Sequence, residues 1–308
     1  MRIYFVLWML IVSGTATACD YCNNYLGLDP GYNKNTIGIR NSWRTAEWQD
    51  PFSSMRTTHT SHGSSEQPSG SLLKETFLNT ELFVKYSPVS KLRLMMSLPF
   101  SVNTLKYEGV TATRSALADL TLLAMYQVAN TVPSDSNAVR HRIFAGGGVK
   151  FPTGKSEGGS EVEIPLSHHL YSGTGSTDFL LNVSYIGKKN RLGWNLDASY
   201  KLNGESANDY RYGNTLNVTP RIFYELSIKT LKVYPHVGGA YEGGLEDKYK
   251  GETWIETGGE TMWGTAGLDV YFNRFSLTTD FRIPVYHDMG AQMAEDKFVL
   301  FTSLNVHF

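Results

Sequence analysis

Several common features are scarce in these 308 residues, and each scarcity removes a class of protein. Only two cysteines occur, and two thiolates alone do not fill a zinc or copper shell. The formal net charge is −1, so there is no surplus of positive charge to attract nucleic acid. Mean hydropathy is −0.26 and the only long apolar run lies at the start, so no transmembrane helix is expected in the body of the chain. No serine motif stands beside His141, His236 or His307, as a hydrolase triad would need. The stretch FPTGKS at 151–156 imitates the end of a phosphate-binding loop. It has Val149 where that loop requires glycine, and no helix pattern follows. What the chain does have is 29 glycines, 18 tyrosines and 15 phenylalanines, a composition suited to turns, strands and interfacial aromatic belts.

Residues 1–18 read as a secretory signal: Arg2 gives a basic start, 4–12 an apolar run, and Ala16-Thr17-Ala18 a small-x-small cleavage site. Cleavage after Ala18 would leave Cys19 at the mature N-terminus. Ala16 is smaller than the aliphatic residue usual in a lipoprotein signal, which argues against lipidation. Residues 19–34 then form a short, Asn/Gly/Pro-rich periplasmic segment. Its Cys19 and Cys22 are read first as a small disulfide, with a metal site or a lipidated Cys19 as alternatives. His59, His62, His168 and His169 fall in polar loops and read as solvated surface groups rather than ligands.

The remainder, 35–308, resolves into twelve strands of about ten residues: 35–43, 76–86, 91–101, 117–128, 140–151, 177–186, 192–202, 215–225, 231–242, 262–272, 275–284 and 297–308. Ten residues is the length a tilted strand needs to cross a bilayer. The odd-numbered connections are long and polar and the even-numbered ones short, with 129–139 of middling length. That sorting is expected of an outer-membrane barrel with periplasmic termini, short inner turns and long outer loops, and a soluble sandwich has no reason for it. The last strand ends on Phe308, as a barrel's closing strand would.

Alternation within the strands supports the same reading. Phe179, Leu181, Val183 and Tyr185 oppose Asp178, Leu180, Asn182 and Ser184. Trp194, Leu196, Ala198, Tyr200 and Leu202 oppose Asn195, Asp197, Ser199 and Lys201. The apolar sets end in aromatics such as Tyr86, Phe100, Tyr126, Phe151, Tyr224, Phe272 and Phe275, which suit a lipid-facing exterior. The opposite faces then line the lumen: Glu81, Lys85, Arg93, Asp119, Arg142, Lys150, Asp178, Asp197, Lys201, Arg221, Glu225, His236, Glu242, Asp269, Asp280 and Arg282. Acids and bases nearly balance. That fits either a salt-bridged, partly filled interior or a hydrated passage with opposing charges, whereas a strongly ion-selective pore would show one sign. Gly146–Gly148 and Gly238-Gly239 are expected to relieve crowding or leave room in the lumen. Pro220 and Pro235, inside strands, are expected to sit at local bulges.

The stretches ALADLTLLAMY (116–126), GGVKFPTGK (147–155), GSTDFLL (175–181), YGNTL (212–216) and IPVY (283–286) resemble a family of Gram-negative outer-membrane proteins, the transporter-like barrels named for the meta-pathway of phenol degradation. The start, CDYCNNYLGL (19–28) and NTIGIR (35–40), resembles a Bacteroidetes branch of such barrels. The resemblance implies a channel or transporter in the bacterial outer membrane, for small hydrophobic or aromatic compounds, with no catalytic residues and no cofactor. The expectation is therefore an all-β, twelve-stranded antiparallel transmembrane barrel whose partners are outer-membrane lipid and a small solute. Passive or facilitated uptake is its expected function, a non-conducting structural or surface-binding barrel is the alternative, and an outer-membrane enzyme comes third.

Overall fold

Period-two alternation leaves each strand one face to bury and one to expose, and only closure removes the edges of a sheet built from such strands. The computed structural model describes residues 34–49, 72–107, 109–131, 138–155, 171–255, 257–289 and 294–308. Its elements are β1 (Thr36–Gln49), β2 (Leu72–Val89), β3 (Leu92–Tyr107), β4 (Val110–Leu117), β5 (Leu120–Asn130), β6 (Arg140–Phe151), β7 (Asp178–Lys189), β8 (Leu192–Leu202), β9 (Tyr210–Arg211), β10 (Thr215–Tyr224), β11 (Leu226–Ile228), β12 (Leu231–Gly244), β13 (Asp247–Tyr249), β14 (Glu252–Trp254), β15 (Gly259–Phe272), β16 (Phe275–Met289) and β17 (Glu295–His307). Twelve of them close an antiparallel barrel in the order β1-β2-β3-β5-β6-β7-β8-β10-β12-β15-β16-β17. The seam runs between β17 and β1, from Thr36 opposite His307 to Glu47 opposite Glu295.

The wall is inside-out relative to a soluble barrel. Ile39, Trp43, Leu94, Phe179, Leu181, Val183, Ile222, Phe281 and Leu304 are exposed on the exterior, while the residues between them are buried. Apolar surface on this scale would drive association in water and is at home in lipid. Tyr86, Tyr126, Tyr224, Phe272 and Phe275 are exposed near the rim that carries the short turns. There they form an interfacial girdle. Asn190, Lys229 and Asn273 take left-handed φ of 54°, 53° and 53° in the tight turns at that rim, and asparagine bears this conformation more easily than most residues.

Four expectations are corrected. The strands are longer than ten residues in most cases, up to 18 in β2, so Arg44, Glu75 and Asp296 belong to strands and not to outer loops. Residues 102–116 are largely not a loop: the outer half of β3 pairs with β4, from Phe100 opposite Leu117 to Tyr107 opposite Val110. The inner half of β3 pairs with β5, so the fourth barrel strand starts at Leu120, and Ala118-Asp119 marks the break. Finally, the prolines cause no bulge. Pro220 lies in a two-residue gap in the ladder to β12 with unchanged register on either side, and Pro235 keeps register opposite Leu268. Register shifts occur instead at Thr45/Ala46, Tyr86/Val89, Gln127/Ala129 and Met262/Trp263. The bulge at Thr45/Ala46 moves Asp296 onto the interior face beside Arg44. The glycines of β6 answer to crowding: a Cβ on Gly146 would lie 2.0 Å from the carbonyl oxygen of Ala124 on the adjacent strand.

Candidate functional site in the barrel interior

The interior is charged over most of its height. Glu81, Arg93, Asp119, Arg142, Lys150, Asp178, Asp197, Lys201, Arg221, His236, Glu242, Asp269, Asp280 and Arg282 all keep 9 % or less of their surface exposed. Lys85 is half-buried on β2. Glu225 is half-buried between β10 and β11 at the inner rim, where Lys188 and Lys232 pair with it, so it stands at the mouth rather than within the barrel. Most of these groups fall into three assemblies, and a fourth assembly is aromatic.

Toward the outer rim, Lys150 Nζ lies 3.0 Å from Asp119 Oδ2, 2.7 Å from Asp178 Oδ2 and 2.7 Å from Thr174 Oγ1. Asp119 also accepts from the Gly154 amide (2.9 Å), the Thr174 amide (3.0 Å) and the Thr174 hydroxyl (3.1 Å). Asp178 accepts from the Ser176 hydroxyl (2.7 Å) and the Gly204 amide (2.9 Å). Three of the stretches that stand out in the sequence, around Asp119, around Lys150-Gly154 and around Ser176-Asp178, thus converge on one knot. The break between β4 and β5 turns Asp119 inward to join it. The stretch that imitates a phosphate-binding loop gives its Gly154 amide to a carboxylate.

Across β8, β10, β12, β15 and β16 runs a second assembly. Arg221 reaches Asp197 at 3.2 Å, and Asp197 also accepts from Ser184 at 2.6 Å. His236 lies 3.4 Å from Asp269 and 3.8 Å from Asp280, while Arg282 joins Asp280 at 2.9 Å and Glu242 at 3.4 Å. Gly267 makes room for the imidazole, since a Cβ there would stand 2.4 Å from its ring. Arg44 and Asp296 form a bidentate ion pair above this belt. On the opposing wall, basic groups rest on rings: the Arg40 guanidinium is 3.2 Å from the centre of Phe83 and Arg93 is 3.6 Å from that of Phe144, with Arg40 also 3.4 Å from Glu81.

The fourth assembly lies at the inner rim and is aromatic: Phe223, Tyr234, Tyr271 and His307. Sequence reading drew its named lumen candidates from the charged groups and passed over these rings, together with Arg44, Glu75 and Asp296. The signal was present, because Phe223 shares the parity of Arg221, Tyr234 that of His236, and Tyr271 that of Asp269. His307 also has a serine beside it that no linear motif shows. Its Nε2 is 2.9 Å from Ser276 Oγ and its Nδ1 3.0 Å from Thr36 Oγ1. A threonine hydroxyl holds the ring where a triad would place a carboxylate, so the contact fastens the seam.

Outside the wall, β9, β13 and β14 form a small sheet over the outer rim. Asp247 anchors it, accepting from the Gly213 amide at 2.7 Å and from the Tyr210 hydroxyl. Burial raises its pKa to about 6, against the opposing effect of those hydrogen bonds and of Lys201. Beneath this sheet an open recess of ≈ 860 Å³ is lined by Tyr200, Leu216, Tyr241 and Met289 among others. Leu216 and its same-face neighbours point away from the lumen, so the recess belongs to the outer surface. Cys19, Cys22, His59, His62, His168 and His169 lie outside the described residues, as does the expected signal. Among the described residues no group of three or more His, Cys, Asp or Glu side chains could hold a metal ion.

A closed twelve-stranded barrel with an apolar exterior and a charged interior is an outer-membrane barrel. The chain belongs to the family described as "Putative MetA-pathway of phenol degradation", whose model matches residues 54–284, about three quarters of it. Among solved structures it is similar to an outer-membrane channel from Pseudomonas putida, with a TM-score of 0.61 and 14 % identity over 92 % of this chain and 100 % of that one. It is also similar to the β-domain of the Bordetella autotransporter BrkA (TM-score 0.48, 10 % identity, 90 % and 100 % covered). A third likeness is to the translocator domain of the autotransporter NalP from Neisseria meningitidis (TM-score 0.46, 11 % identity, 92 % and 91 % covered). No curated protein matches the sequence.

Proposed function

We propose that the protein is an outer-membrane channel that passes a small solute along the barrel axis, with the interior charges lining its path, and that it is not an enzyme. The observation that carries this reading is the interior itself. Burying charge costs several kcal/mol per ion unless every group is paired, and an apolar filling would hold a purely structural barrel at least as well. A barrel that keeps Asp197, Arg221, His236, Asp269, Asp280 and Arg282 facing inward is built for a polar or amphipathic passenger. Family membership and the channel function of the Pseudomonas putida protein support the same reading, and the family's description points to aromatic compounds.

Burial of those same groups favours a second reading, a non-conducting barrel that acts through its outer loops. Planar-bilayer conductance of the refolded, signal-free protein separates the two, with Asp178→Asn and Arg221→Gln as probes. Discrete current steps altered by either substitution support a lumen path. Silence from a correctly folded barrel, both before and after these substitutions, moves the assignment to the structural reading.

A further inference from the structure

At the inner rim the lining changes from ion pairs to rings. Phe223 on β10 and Tyr234 on β12 meet edge-to-face with centroids 6.0 Å apart, Tyr234 meets Tyr271 on β15 at 5.6 Å and 89°, and Tyr271 stacks on His307 of β17 at 5.7 Å and 24°. Phe223 and Tyr234 are almost wholly enclosed, and Ile186 of β7 packs against them. The row therefore crosses the lumen face of the wall from β7 to β17. Its far end is fixed: Thr36 on β1 and Ser276 on β16 hold the two nitrogens of His307. Its near end is accommodated by Gly193, where a Cβ would lie 2.1 Å from the Phe223 ring. The barrel thus keeps a side-chain-free position opposite one ring and hydrogen-bonds the last, while the rings between them touch mainly edge to face or stacked.

We propose that this row is the solute-recognition site of the lumen and its inner barrier, selective for compounds that carry a planar aromatic ring. The proposal rests on the channel reading and deepens it. Edge-to-face contacts depend on the opposite polarity of a ring's face and edge. An aromatic solute replaces the Tyr234–Tyr271 contact with an equivalent one as it passes. A saturated ring of the same size offers no such face and must separate the two tyrosines without compensation. The charged belt above the row would then hold a polar substituent while the rings read the planar part.

The test uses the refolded full barrel in planar bilayers, with phenol and cyclohexanol as a matched pair added from the inner-rim side. Half-blocking concentrations are read for the parent protein and for Tyr234→Leu, Tyr271→Leu and Tyr271→Phe, each first shown to fold by heat-modifiable gel mobility. The expected result is about fivefold tighter block by phenol than by cyclohexanol, the value of one aromatic contact. That ratio should fall to near one in either leucine variant and survive in Tyr271→Phe. A silent parent opened by the leucine variants would support the row as a barrier. A conducting parent with no preference, or a preference that the leucine variants keep, overturns the inference and leaves the channel standing. Silence from every form removes both.

Discussion

Replacing Lys150 with methionine tests the logic of the interior most directly. The ammonium sits within 3.0 Å of carboxylates from two different segments, with all three side chains almost fully enclosed. Methionine keeps the volume but leaves Asp119 and Asp178 facing each other without a cation. Removing one partner of a buried ion pair costs roughly 3–5 kcal/mol, because the remaining charge is left uncompensated. At roughly 2–4 °C per kcal/mol for a large domain, the midpoint of thermal unfolding should fall by about 6–20 °C. The amide bonds from Gly154, Thr174 and Gly204 persist and place the result toward the lower half of that range. Circular dichroism of the detergent-refolded barrel reads the shift. The triple variant Asp119→Asn, Lys150→Met, Asp178→Asn carries no uncompensated charge and should recover part of the loss, which a sum of three independent effects would not do. A Lys150→Met barrel that melts within about 2 °C of the parent, or a triple variant less stable than Lys150→Met alone, would refute the reasoning.

Three further outcomes follow from the same structure. Asp247 titrates near pH 6 when folded and near 3.8 when free, so the folded protein holds the extra proton between those values, and its contribution to stability grows as pH falls from about 6 to about 4. Hydrogen exchange in 203–215 and 245–255, corrected for intrinsic rates, should therefore slow at pH 4.5 relative to pH 7.5 in the parent and not in Asp247→Asn; equal pH dependence in both would count against it. Gly146→Ala should destabilise the barrel by more than about 2 kcal/mol in urea unfolding, while Gly147→Ala, whose Cβ first meets an atom at 3.0 Å, should cost much less. Among single-tryptophan variants in brominated lipid, the exposed Trp43 should be quenched and the enclosed Trp263 should not; the reverse order would mean that the wall faces the other way.

Much of this architecture was legible from the chain because a barrel is written locally. Alternation assigns each residue to a face without knowledge of its neighbours, so Phe179, Leu181 and Val183 could be sent to lipid and Asp178 and Asn182 inward from six consecutive letters. Turn length sorted the rims for the same reason. Strand ends were less legible, since lipid selects apolar residues only over its own thickness. The outer parts of β1, β2 and β16 mix charged and apolar residues without such a pattern and read as loop. The aromatic row went unseen from a rule applied too narrowly: parity placed Phe223 and Tyr234 inside, but aromatic side chains were counted only toward the girdle. The charge partners belonged to the tertiary structure alone. Lys150 meets Asp119 from 31 positions away, and Arg44 meets Asp296 across 252 through a bulge that turns the aspartate inward. Pairing of that kind is set by register and closure around the barrel. The sequence determined which side of the wall each residue faces, and the closed fold decided which residues meet there.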